Sequence, residues 1–276
     1  MSEGASAGSP IDALLDAAEE ALEQGSPADC ITLCAQVLES DPHHPGAWFV
    51  RGDALRMLGL LPDAARAYHN AAMARPDHAS SWASYALTSL DLRNLEEARR
   101  ASSRAIREDA ANPEGWWVRG LIAEWTGDLP GARRAQAQAR WLDPMTYPLP
   151  LELTDEDVED LVQEALLELH PAIRGYLTNV AILLEDMPRD EDLDAYDPPI
   201  SPLELLGCFS GPSLMERNTE DPWSQLPPTI VLYRRNIARK AVDRDELVYQ
   251  LQVTLFHEIG HFLGLSEQDL EDRGLE

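Results

Sequence analysis

Along the first half of the chain, apolar residues return every three or four positions, the spacing of a helix with one buried face. The helices themselves also return. Trp48, Trp82 and Trp116 lie 34 residues apart, Ala64, Ala98 and Ala132 keep the same step, and so do Ala71, Ala105 and Ala139. Pro42 and Pro76 hold it too, with Pro144 after one skipped period. Each period reads as two helices, for example PGAWFVRGDALRMLG and then LPDAARAYHNAAMARP, with GLLPDA, RNLEEA and GDLPGA at the equivalent turns. Small residues such as Gly52, Ala64 and Ala71 let paired helices approach closely, while Trp48 fills the gap to a neighbouring unit.

A 34-residue period with an aromatic, small alanines and a closing proline resembles the tetratricopeptide repeat. Three clear units begin at residue 45, and a degenerate capping unit precedes them, so the repeat domain is expected over 11–147. The resemblance implies a solenoid whose concave face binds a protein partner. Cys30 and Cys34, four apart in the capping unit, are expected as small buried residues rather than half a metal site. His43, His44, His69 and His78 fall near turns or helix ends and are expected to be exposed. This half predicts a binding surface and no chemistry.

The period breaks at LDPMTYPLPLELT, whose three prolines place a boundary near Pro148, with a second domain expected over 151–276. LTDEDVEDLVQEALLELHP follows as a helix capped by Thr154, with Val158, Leu161, Val162, Ala165, Leu166 and Leu169 at helical spacing. NVAILLED and TIVLYRR are short β-branched and aromatic runs bounded by turn residues, hence strands. MPRDEDLDAYDPP between them is acidic and is expected to be a mobile, solvated loop. VDRDELVYQLQVTLFHEIGHFLGL opens with Asp243 and Glu246 in a capping-box arrangement and closes at Gly264, one helix of about twenty residues. The fold class expected is an all-α repeat solenoid followed by a small α+β domain.

Charge and composition narrow the partners. The chain carries 49 Asp and Glu against 22 Lys and Arg, and Lys240 is its single lysine. Such a field repels nucleic acid and anionic membrane, so neither is expected as a partner. No apolar run reaches the roughly 18–20 residues a membrane helix needs, and the first residues lack the pattern of a signal peptide. Three scattered cysteines suit a reducing compartment, and the location expected is cytoplasmic.

Chemistry enters with HEIGH, residues 257–261. Residues four apart on a helix differ by about 40° in direction and about 6 Å in height, so His257 and His261 can both reach one ion. Glu258, one step round, is close enough to take a proton from water that the ion activates, and to pass it to a leaving amine. The flanking Leu255, Phe256, Phe262 and Leu263 would bury the helix, and a buried histidine pair beside a buried glutamate is costly without a partner such as a metal. Two imidazoles and a carboxylate suit zinc.

The stretch ELLGCFSGPSLMERN, then LPPTIVLYRRNIAR and VTLFHEIGHFLGLSEQDLEDRGL, with EALLELHP and NVAILLEDMP upstream, resembles the bacterial minimal zincin-like metallopeptidase domain. The resemblance implies a small mixed sheet on helices, one zinc ion per chain, His257 and His261 as ligands, Glu258 as the general base and a peptide or protein substrate. In the pattern HExxHxxGxx(H/D) of metzincin-like enzymes, Gly264 is in place and the third ligand position holds Glu267, a departure from His or Asp. Ser266 and Asp269 also form a cap for a last short helix, so Asp269 and, further off, His170 stand as alternatives to Glu267. Zincins keep a substrate-pairing edge strand where TIVLYRR stands, which would bring Tyr233 or Arg234 to the substrate; Tyr233 is expected instead to pack and the arginines to pair with the acids around them. A rival reading makes the chain an interaction adaptor whose zincin-like domain is silent or structural.

Overall fold

In the computed structural model, which describes residues 9–151, 154–196, 200–215 and 227–272, the 34-residue period becomes a stack of helix pairs. The chain divides between Leu149 and Pro150 into two units. In the first, α1 (Pro10–Glu23) pairs with α2 (Pro27–Ser40), α3 (Pro45–Met57) with α4 (Leu61–Ala74), α5 (Ala79–Asp91) with α6 (Leu95–Glu108), and α7 (Pro113–Trp125) with α8 (Leu129–Leu142).

The repeated residues have repeated jobs. The Trp48 and Trp82 indoles donate to the carbonyls of Pro42 and Pro76, both at 2.9 Å, and Trp116 donates to the carbonyl of Ala110 at 3.0 Å. Only the carbonyl is needed, which is why the proline can be skipped in the third unit. Gly52 has no room for a Cβ, which would meet the Tyr68 ring at 2.6 Å, so α3 and α4 pack backbone to ring. Each turn inside a pair needs a left-handed residue: Gly25, Gly59, Arg93 and Gly127, 34 apart, have φ of 73°, 70°, 59° and 76°. Cys30 and Cys34 are buried in the capping unit, as expected. His43 and His69 are exposed, whereas His44 and His78 are half-buried at helix N-caps, where Nδ1 of His44 accepts from Ala47 N–H at 3.1 Å.

The second unit is a three-stranded sheet against helices. β1 (Ala181–Glu185) runs parallel to β3 (Thr229–Tyr233), and β2 (Gly207–Ser210) runs antiparallel to it, in the order β1-β3-β2. TIVLY is therefore the central strand and not the edge strand expected from the sequence. The edge beside it is GCFS, too short a run to announce itself. Around the sheet stand α9 (Asp155–Glu168), α10 (Pro171–Tyr176), α11 (Asp190–Leu193), α12 (Arg234–Lys240), α13 (Arg244–Leu263) and α14 (Glu267–Glu271). Val158, Leu161, Val162 and Ala165 of α9 meet Leu247, Leu251, Leu255 and Ile259 of α13 in one core with Ile230 and Leu232 of β3. Burying each such aliphatic side chain stabilises by about 1.5–3 kcal/mol.

The acidic stretch between the strands is not a free loop over its described part. Met187 and Leu193 are buried, and Arg189 N–H donates to Asp192 at 2.8 Å to start α11. Of the stretches singled out in the sequence, parts fall in 152–153, 197–199, 216–226 and 273–276, outside the described residues.

Candidate metal centre

The site grows out of the longest helix. Asp243 caps α13 by accepting from Glu246 N–H at 2.9 Å, while the Glu246 carboxylate accepts from Val242 N–H, one residue upstream of a full capping box. Twenty residues on, Gly264 ends the helix at φ 90° in the left-handed region. Its last two turns carry His257 and His261, whose Nε2 atoms lie 3.0 Å apart.

The left-handed turn at Gly264 sends the chain back into α14, and α14 carries Glu267. One Glu267 oxygen is 3.2 Å from His261 Nε2 and the other 3.5 Å from His257 Nε2. Ligand atoms of these three residues all lie within 4.8 Å of one another, the one such group of three or more among the described residues. A tetrahedral ion with bonds near 2.0–2.1 Å spaces its ligand atoms about 3.3 Å apart, so the donor set and its spacing fit a zinc ion.

The alternatives are placed elsewhere. Asp269 is bound into the cap of α14, accepting from the Ser266 hydroxyl at 2.6 Å and from its N–H at 3.1 Å. His170 caps α10, its Nδ1 accepting from Ala172 N–H at 3.3 Å. Tyr233 is fully buried, with Cys208 Sγ 3.2 Å from its hydroxyl, and Arg234 pairs with Asp186.

Glu258 is 6% exposed and lies beneath β2. Burial pushes its carboxyl up to about 8, the Glu267 carboxylate adds to the rise, and a hydrogen bond from Phe209 N–H opposes it. A cation bound beside it would pull the same group back toward its charged form. Gly207 permits this arrangement, because a Cβ there would meet Thr254 Cγ2 at 2.9 Å and Glu258 Cγ at 3.2 Å. The edge strand thus rests directly on the helix and aims a backbone donor at the carboxylate.

Gly260 has a role the sequence did not suggest. A Cβ there would collide with Leu270, which is fully buried. Leu270 fixes α14 on α13, and α14 presents Glu267. Beside these groups is a cavity of about 540 Å³ whose walls include Tyr196, Leu205, Phe209, Ser213 and Val253. Tyr196 sits in the acidic stretch, where composition alone gave no signal; burial first, then the nearby Glu258, raise its phenol above the usual range.

Comparison with known proteins follows the same division. Residues 177–275 match the zincin-like metallopeptidase family, and residues 15–80, 58–113 and 86–144 match the tetratricopeptide repeat. No curated protein matches the chain. Among solved structures, the chain is similar to MamA of Desulfovibrio magneticus at 16% identity, over 61% of this chain and 89% of that one, with a TM-score of 0.44. A tetratricopeptide-repeat protein of Thermus thermophilus is 19% identical over 49% of this chain and 75% of its own, TM-score 0.44. The repeat domain of Sgt2 from Aspergillus fumigatus is 18% identical over 54% of this chain and 92% of its own, TM-score 0.38.

Proposed function

From a chain that joins tetratricopeptide repeats to a zincin-like metallopeptidase domain, we propose a zinc-dependent peptidase whose repeats hold a protein partner on their concave face. The observation that carries this reading is the convergence of His257, His261 and Glu267 beside a buried Glu258 at the wall of a cavity. The three side chains would hold the metal, and Glu258 would handle the proton. Zinc, when bound, supplies Lewis acidity, polarising a carbonyl and making water acidic near neutral pH.

Glu258 then has two successive tasks. As a carboxylate it accepts the proton of the attacking water, and as an acid it delivers that proton to the leaving amine nitrogen. Phe209 N–H holds the carboxylate in place through both. The apolar walls at Leu205, Phe209 and Val253 favour a peptide with an apolar side chain next to the cleaved bond.

A silent or structural metal domain gives no account of a carboxylate buried beside the ligands at a desolvation cost. No helix among the described residues is long and apolar enough to cross a membrane, and the cytoplasmic setting belongs to the same proposal. Glu258→Gln separates the readings: it is expected to keep fold and zinc while peptide hydrolysis falls about 10²–10⁴-fold. Unchanged hydrolysis in that variant would remove Glu258 from the mechanism.

A further inference from the structure

Along the repeat unit, α1 packs on α3 and α5 on α7, and no two successive second helices pack on each other as closely. That leaves grooves on the outer side, each between two second helices and floored by a first helix. The groove between α6 and α8, floored by α7, encloses about 590 Å³. Arg99 and Ser103 line it from α6, Trp116 and Arg119 from α7, and Arg134 and Gln138 from α8.

One repeat earlier, 34 residues upstream of Arg99, Ser103 and Arg119, stand Ala65, His69 and Tyr85. There the His69 ring lies 5.1 Å from Tyr85 and 6.5 Å from Trp82, so aromatic rings fill the corresponding strip. In the later repeat the two ring-forming positions become a hydroxyl and a guanidinium, Ser103 and Arg119, and the alanine becomes Arg99, which opens the strip and makes it basic. Residues 93–142 hold 9 arginines against 7 acids, in a chain whose net charge is −27. Neighbouring Arg100 and Arg104 are engaged by Glu97 at 2.9 Å and Glu108 at 2.7 Å. Arg99 reaches Glu96 only at 4.0 Å, and Arg119 bonds the Ser103 hydroxyl at 3.4 Å.

We propose that this outer groove binds an acidic peptide segment of a partner protein, its carboxylates paired with Arg99, Arg119 and Arg134 and an apolar side chain set against Trp116 and Ile122. Guanidinium forks match carboxylates in pairs of parallel hydrogen bonds, and the indole offers an apolar floor between them. A polyphosphate would meet the acidic field of the whole chain, whereas a segment with a few carboxylates meets mainly the local arginines. This site is independent of the peptidase reading and of the concave face.

The test uses the full chain and a fluorescein-labelled dodecapeptide of Glu, Ser and Leu, read by fluorescence anisotropy. Its Glu-to-Gln counterpart and a single-stranded oligonucleotide serve as comparison probes. The Glu peptide is expected to bind, more weakly as salt rises, and at least tenfold tighter than the Gln peptide or the oligonucleotide. Arg99→Ala, Ser103→His and Arg119→Tyr together restore the residues of the earlier repeat and are expected to weaken binding at least tenfold with unchanged circular dichroism. Should that variant fold poorly, Arg134→Gln at its exposed position is expected to weaken binding about threefold, and Asp53→Asn on α3 to leave it unchanged. Absence of binding by the wild type, equal binding of the Gln peptide, tighter binding of the oligonucleotide, or folded groove variants that bind as the wild type does would each overturn the proposal.

Discussion

Glu258 and Gly260 show how much of the site rests on single residues. The histidines were legible because four-residue spacing on a helix fixes two rings on one face, and Glu267 because Gly264 turns the chain three residues earlier. The role of Gly260 was not, since it depends on Leu270, which reaches it only after the turn. Gly260→Ala is expected to push Leu270 off α13, destabilise the second unit by about 1–3 kcal/mol and weaken zinc binding at least tenfold; competition with a chromogenic chelator would check it. Zinc affinity equal to wild type would break the link between Leu270 and Glu267. In the repeats, burial raises the Glu114 carboxyl to about 7 from 4.5, with the Ser84 hydroxyl opposing. A carboxyl raised in the folded state contributes stability that is whole below its unfolded value and lost as pH rises through its folded value. The repeat unit is therefore expected to gain up to about 3 kcal/mol between pH 8 and pH 5, and Glu114→Gln to remove that slope. Tryptophan fluorescence in urea reports it, because six of the seven tryptophans (48, 82, 116, 117, 125 and 141) lie in that unit.

At the scale of elements, strong periodicity was readable and short runs were not. Eight repeat helices and α13 announced themselves through spacing and caps, whereas β2 has four residues and α12 seven, too few for a period to show. That is why the central strand passed for an edge: its neighbour GCFS carries no β-branched residue. The turns between paired helices were located by Gly25, Gly59 and Gly127, and Arg93 takes the same left-handed place at φ 59°. A residue with a Cβ in that region costs about 1–2 kcal/mol, so Arg93→Gly is expected to stabilise the repeats by about 1 kcal/mol, seen as a higher urea midpoint. A lower midpoint would mean that contacts of the arginine outweigh its backbone strain. α14 offers the complementary test. Asp269→Ala removes the N3 half of the capping box while Ser266 still caps α14, and is expected to cost about 1 kcal/mol while one zinc per chain remains, whereas Glu267→Ala should lose the metal. The opposite pattern would make Asp269 the ligand.

For the whole molecule, the division of labour follows from where chemistry-bearing residues fall. The repeat unit has 13 bases and 21 acids up to Pro150, and the rest of the chain has 9 and 28. The one cluster of three metal-competent side chains among the described residues lies in the second unit, and the arginine-lined groove between α6 and α8 in the first. The proposed recognition and the proposed hydrolysis thus fall to different halves, each with its own core. Everything on the hydrolytic side depends on a metal being held by His257, His261 and Glu267. The most direct measurement is the zinc content of the purified, zinc-reconstituted full chain by elemental analysis, alongside His257→Ala and Glu267→Ala. One zinc per chain in the wild type, lost in both variants, is the result predicted here; no zinc in the wild type, or zinc retained in His257→Ala, would contradict it.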